Sequence, residues 1–368
     1  MNNLNIYKYK PDFDIVRRRW TAYWQHEIVD RPPILCTLTK PGFEFKPGSD
    51  YRDKLFGDMQ TALQNARYNQ EGMIYPADTL PSLWMSMSTH EFATYLGADL
   101  VWPKGEMASE ILKGGKLPDS DTNWAHKMVN DWEDILPLKI DENNYWWKRI
   151  QEFYKLSVDM LDGYVIPYSL DFHTNMDLLM SLRGDAELCM DLVDCPEMID
   201  KGMESVRKIF QFVWERIKEV GKMEEIGYWF DGFSEKSVTV LACDFICMIG
   251  KDMFRRWALP TLEFEASLVD NVIFHWDGPG ALKHTDDLLG VDKIHTFSYV
   301  PSPGEGHFKY LELYKKVQKA GKSILYEGTP EEIKAVFKEL KPHLTMYKTS
   351  VGSEREFYEL DTWMKNNI

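Results

Sequence analysis

Short apolar runs that end abruptly in polar side chains, each followed by a helix-patterned stretch, recur along the second half of the chain. The clearest begins at Val272 and ends in His275, Trp276 and Asp277, where a Gly-Pro-Gly turn leads into a helical pattern from Ala281. Further strands are predicted at Ile294, Ser323 and Leu344, and further helices at Tyr310, Pro330 and Glu354. Their starts fall roughly 20 to 30 residues apart, the period of a βα unit. Thr329-Pro330-Glu331-Glu332 carries a capping Thr, Pro at the first helical position and two acids in the first turn, which marks a helix start.

The first half repeats the pattern less regularly. An amphipathic helix over Ile15 to His26 stops at Pro32-Pro33, and Ile34 to Leu38 reads as the first strand. Helices are predicted over Tyr51 to Asn69, Asn144 to Leu161, Met176 to Arg183 and Glu197 to Val220, the last with Asp194 as its cap. Strands are predicted over Ala98 to Trp102, Gly163 to Tyr168, Ile226 to Phe230 and Val238 to Ala242, and a helix over Lys251 to Val269. The third of these helices follows a strand that spills into Asp171 and His173. The expected architecture is α/β: a single (β/α)8 TIM-type barrel spanning 1–368, with an N-terminal helical extension over 1–30 and a polar insertion over 104–140.

Composition narrows the function classes. Hydrophobic residues make up 44% and charged residues 27%, as in soluble globular chains, and no apolar run approaches the length of a membrane span. A formal charge of −15 opposes binding to a phosphate backbone, so neither nucleic acid nor membrane is an expected partner. The five scattered cysteines suggest no disulfide framework, and the opening residues have no apolar core of a signal peptide; a cytoplasmic location is the expectation. Aromatic residues reach 14%, with 13 Trp, enough to line a pocket for a flat or cationic ligand as well as a core.

In a parallel barrel, side chains at the carboxyl ends of the strands face one mouth. His275 and Asp277, two residues apart, would point the same way there, as would Asp171 and His173. Asp231 and Asp244, each after a predicted strand, are candidates for proton transfer or metal ligation, with helix capping the plain alternative for Asp244. Glu327 ends another strand. Trp84, Tyr168 and Trp276 are candidate pocket walls that could equally be core.

Several of these segments together are similar to the uroporphyrinogen decarboxylase superfamily, which includes zinc- and corrinoid-dependent methyltransferases. The resemblance rests on Asp244-Phe245 through Met253-Phe254 and Leu259-Pro260, on His275-Trp276-Asp277-Gly278-Pro279-Gly280-Ala281, on Asp191-Leu192-Val193-Asp194-Cys195-Pro196, and on Glu327-Gly328-Thr329-Pro330-Glu331-Glu332. It extends over most of the chain from Arg31-Pro32-Pro33 and implies a (β/α)8 barrel. Two departures matter. The loop after the first strand, Thr37 to Gly42, has one lysine where decarboxylases of the tetrapyrrole carry arginines, which argues against a polycarboxylate substrate. Asp277 stands where the methyltransferases have a zinc-binding cysteine, and no cysteine follows the last strand. The resemblance then implies a divalent metal such as zinc, with oxygen-rich ligation by His275, Asp277 and Glu327, that assists transfer of a methyl group from a small methylated substrate to a corrinoid on a partner protein. The alternative is a metal-free decarboxylase or lyase acting on a small carboxylated substrate. A homodimer is compatible with either reading.

Overall fold

The longest strands are those the hydrophobic pattern marks most clearly. The computed structural model describes residues 4–47 and 51–368, so the first three positions of the expected 1–30 extension lie outside the described residues. Eight strands take part in parallel pairings: β1 (Ile34–Leu35), β2 (Ser82–Leu83), β3 (Ile166–Pro167), β4 (Val238–Ala242), β5 (Asn271–Asp277), β6 (Ile294–Val300), β7 (Ser323–Glu327) and β8 (Thr345–Lys348). Six form one sheet in the order β1-β8-β7-β6-β5-β4, and β2 pairs with β3 apart from it. Every residue of β4 is buried, as are the first four of β7, as expected of parallel strands covered on both faces. Two buried strand hydroxyls are paired: Thr239 of β4 with Ser169 at 2.9 Å and Thr296 of β6 with Tyr23 at 2.8 Å.

Helices close the outer face. Helix α1 (Phe13–Trp24) buries Phe13, Val16, Trp20 and Tyr23, an i, i+3, i+4 stripe that lies against the strands. α2 (Tyr145–Leu161), α3 (Asn175–Arg183) and α4 (Pro196–Val220) follow, then α5 (Leu259–Ser267) and α6 (Glu354–Lys365). Thr329 caps the helix Pro330–Val336 through a complete capping box with Glu332, as the sequence predicts. Among the described residues no helix is long and apolar enough to cross a membrane.

Three local expectations are corrected. The cap position of α4 is Cys195, and Asp194 makes no capping bond; Pro196 at the first helical position sets the helix start without one. The strand expected over Ile226 to Phe230 shrinks to Tyr228–Trp229, paired antiparallel with Phe233–Ser234, because the Phe230-Asp231-Gly232 turn folds the chain back on itself. Leu100–Val101 likewise pairs antiparallel with Trp124–Ala125, outside the parallel strands, and anchors the 104–140 segment.

A buried charge network ties the chain's two ends together. The fully buried Asp78 carboxylate accepts hydrogen bonds from Arg31, from Arg19 at 3.0 Å and from the Ile34 amide at 2.8 Å. Arg31 also reaches Asp361 in α6 at 2.5 Å, so Asp78 and Arg31 together join α1, β1 and α6. Burial alone would push Asp78 toward its neutral form, but the two guanidinium groups outweigh it and hold its pKa low. Removing one member of such a network leaves buried charge without a partner. Asp78→Ala is expected to lower unfolding free energy by about 3–5 kcal/mol, read from urea denaturation. A loss under about 1 kcal/mol would show that the network contributes little to stability.

Candidate functional site

Strand register decides which polar side chains meet. Beyond Pro167, Phe172 forms a parallel bridge with Leu241 of β4, the Ala242 amide donating to the Phe172 carbonyl at 3.3 Å. On the other side of β4, Ala242 is level with His275 of β5. Asp171 and His173, Cys243 and Asp244, and His275 and Asp277 therefore leave three neighbouring strands at the same height. After His173, Asn175 adopts a left-handed backbone (φ 53°), and α3 begins at once, which carries Asp177 one helical turn beyond His173.

Asp177 is the hub. Its carboxylate accepts the amides of Asp244 at 2.9 Å and Phe245 at 2.8 Å, and lies 3.3 Å from His173 Nδ1. The other ring nitrogen of His173, Nε2, lies 3.3 Å from Asp171. Ligand atoms of His173, Asp177 and Asp244 all fall within 4.8 Å of one another, and among the described residues this is the group of His, Cys, Asp and Glu so arranged. The His275 ring is 6.5 Å from that of His173, centre to centre.

The charges of this cluster are strongly coupled. Burial disfavours a charged His173, but Asp171 and Asp177 outweigh it and raise its pKa well above the usual imidazole value. Burial also opposes ionisation of Asp171, and there the His173 charge wins, so that carboxyl stays low. For Asp244, burial and then the Asp177 charge act in the same direction, only partly countered by His173, and its pKa rises to about 7. Burial lowers His275, leaving it neutral, and its ring makes no hydrogen bond within the described residues. Asp244 Oδ1 is buried with no partner.

Of the residues expected at the mouth, Asp171, His173, Asp244 and His275 come together. Asp277 ends β5 exposed, and Glu327 is exposed and paired with Lys348 at 3.1 Å, so His275, Asp277 and Glu327 do not make a ligand set. Side chains alternate along a strand. Trp276 accordingly points the opposite way from His275 and is buried against Phe297 and Tyr299, offering no surface to a ligand. Trp84 and Tyr168 remain half-exposed with ring centres 5.2 Å apart, and Asp231 occupies the turn beside them. Burial is also the main reason the Asp231 pKa is raised; Lys348 opposes the shift while Glu327 and Asp171 add to it.

Sequence reasoning missed Asp177, His90 and Glu265. The i, i+4 spacing of His173 and Asp177 was a usable signal for the first. His90 lies close enough to feel the charge of His173 and Asp177; burial first, then His173, lowers its pKa to about 4. Glu265, fully buried on α5, accepts from Thr174 Oγ1 at 2.7 Å and from the Asn175 amide at 3.3 Å, and so clamps the turn between His173 and α3. A surface cleft of about 520 Å³, lined by Phe56, Ile111, Leu112 and Leu117 among others, shares no residue with this cluster. Comparison with known protein families gives no matching family model, and comparison with curated proteins gives no match.

Burial raises Glu265 from 4.5 to about 8 against the hydrogen bonds from Thr174 and Asn175, so the folded chain holds this proton where the unfolded chain releases it. The resulting stabilisation is complete below the unfolded pKa and is lost as pH rises from about 4.5 to about 8. Up to about 5 kcal/mol is involved. Glu265→Gln, which keeps the neutral shape, is expected to flatten the fall in Tm between pH 5 and pH 8. An unchanged slope would show that Glu265 is ionised in the fold.

Proposed function

We propose that the chain is an enzyme of the uroporphyrinogen decarboxylase superfamily in which β1 to β8 form a closed (β/α)8 barrel. Supporting closure are the Phe172–Leu241 bridge, which joins β3 to β4, and the hydrogen bond from the Asp78 amide to the Ile34 carbonyl, which brings the chain entering β2 alongside β1. The activity we infer is methyl transfer from a small methylated substrate to a corrinoid carried by a partner protein, assisted by a divalent metal. The observation that carries this reading is the approach of His173, Asp177 and Asp244 to within 4.8 Å at the strand ends, beside a neutral His275.

The donor set fits a hard divalent ion. It offers one imidazole and two carboxylates, and the buried, unpartnered Oδ1 of Asp244 lacks a positive partner that such an ion provides. When bound there, the metal supplies Lewis-acid polarisation of the oxygen that loses its methyl group. The rest falls to the chain. Asp177, fixed by two backbone amides, orients His173 and holds the Asp244 loop against α3. Asp171 takes its own orientation from Ser86, whose hydroxyl accepts the Asp171 amide at 3.0 Å. His275, uncharged and without a hydrogen-bond partner among the described residues, is the imidazole available to substrate.

A second reading, the metal-free decarboxylase or lyase, is favoured by one specific feature: both ring nitrogens of His173 already face carboxylates at 3.3 Å. A charged imidazole there is satisfied without metal and would serve as a proton donor.

Elemental analysis after zinc loading and dialysis separates the two. About one zinc per chain is expected, lost in Asp244→Ala and in His173→Ala but kept in Glu327→Gln, with methyl transfer to a supplied corrinoid falling at least 100-fold in the first two. Wild-type protein that retains no zinc, and that releases carbon dioxide from small carboxylates, would overturn methyl transfer in favour of the second reading.

A further inference from the structure

Three aromatic rings meet at the mouth-facing ends of β2 and β3 and the turn that follows Trp229. The centres of Trp84 and Tyr168 are 5.2 Å apart, those of Trp84 and Phe230 5.6 Å, and those of Tyr168 and Phe230 5.5 Å. Their planes are inclined to one another by 59°, 64° and 77°, so they form the walls of a corner and not a stack. Phe230 is buried, while Trp84 and Tyr168 are each only partly buried, so a part of each of these two rings is accessible. The backbone fixes this arrangement: β2 and β3 are in register at Leu83 and Pro167, and the Tyr168 amide donates to the Leu83 carbonyl at 2.9 Å.

Next to Phe230 stands Asp231, half-buried, in a left-handed conformation (φ 45°) that only a few residue types adopt readily. Among the described residues its carboxylate has neither a hydrogen-bond nor an ion-pair partner. The charges that act on it most are Lys348, itself paired with Glu327, and the carboxylates Glu327 and Asp171. A partly desolvated carboxylate that must share the field of Lys348 with Glu327, set in a left-handed turn beside aromatic walls, is costly for the fold.

We infer that Trp84, Tyr168, Phe230 and Asp231 form a recognition site for an organic ammonium group, the cationic end of the substrate. Aromatic faces attract such a cation through their quadrupoles, and their apolar surface suits an alkylated nitrogen better than a hydrated metal ion. Asp231 supplies the compensating charge. Tyr168 precedes Asp171 by three residues, a reach of at most about 10 Å, so one small molecule can span the corner and the His173 cluster. The inference depends on the proposed function only for placing the reacting end of the substrate at that cluster.

Titration calorimetry with choline and with its uncharged isostere 3,3-dimethylbutan-1-ol tests it. Choline is expected to bind at least 10-fold tighter than the alcohol. Trp84→Leu and Asp231→Asn should each weaken choline about 10-fold; Asn tolerates the left-handed backbone, so the second variant changes charge without disturbing the turn. Trp84→Phe, which keeps a ring, should lose less than Trp84→Leu. Binding by His173→Gln should match wild type, and this separates the corner from the cluster: loss of turnover with choline binding intact counts against neither. Equal affinity for the alcohol and choline, no saturable choline binding, or choline affinity unmoved by Asp231→Asn would overturn the inference.

Discussion

The site depends on one carboxylate being asked to satisfy three donors at once. Asp177 accepts the amides of residues 244 and 245 and faces His173, so the loop after β4, the end of β3 and the first turn of α3 can reach their positions only together. The alternative conformations available to each segment would leave buried amides unpaired, at about 1–3 kcal/mol apiece. A short polar side chain in this way replaces the apolar packing that holds the rest of the fold. It also explains why the cluster carries so much unbalanced charge: the carboxylate is required structurally, and its charge then acts on His173 and Asp244.

That arrangement is braced from behind. Asn175 pays for its left-handed backbone with a hydrogen bond from its side chain to the Ala258 carbonyl at 3.0 Å, and Ala258 ends a π-helical turn over Phe254–Ala258. The wider turn of a π-helix releases a carbonyl that an α-helix would have used internally. Glu265, two turns further on, holds Thr174 and the Asn175 amide. Two irregularities far apart in sequence, the left-handed residue before α3 and the π turn before α5, thus answer each other across the same contact, and a neutral carboxyl completes it without adding another negative charge.

What could be read from the chain alone follows the same physics. Strands β4 to β8 were legible because a buried parallel strand needs a continuous apolar run and its neighbour a helix of matching length; the capped start at Thr329 was legible because its chemistry is local. The first three strands were harder to place. Ile34–Leu35, Ser82–Leu83 and Ile166–Pro167 have two paired residues each, too few to show a period, and the Tyr228–Trp229 hairpin resembled a further βα unit until its Asp-Gly turn was seen to reverse the chain. At the site, His275 and Asp171 were visible as strand-end polar residues. Their relation to Asp177, His90 and Glu265 was not, since it rests on the Phe172–Leu241 register and on tertiary burial, neither of which has a local signature. Reading Asp277 and Glu327 as ligands failed for a related reason: being at the end of a strand places a residue near the mouth, but exposure and the competing Lys348 decide whether its charge is available.

The balance of charge around the mouth limits what can bind there. The groups acting most strongly on Asp171, Asp231 and Asp244 are histidines and other carboxylates, with Lys348 as the lysine among them and already paired. A substrate bearing several carboxylates would meet this field with no guanidinium fork to receive it, whereas the arginines Arg19 and Arg31 are committed to Asp78 in the interior. A neutral or cationic small molecule meets the opposite situation, since it relieves negative charges that the fold has already desolvated. The two ends of the site share this field: positive charge delivered near Asp171 by a metal at the His173 cluster offsets part of the negative charge that an ammonium group meets at the aromatic corner, so a cation at one end should weaken binding of a second, separate cation at the other.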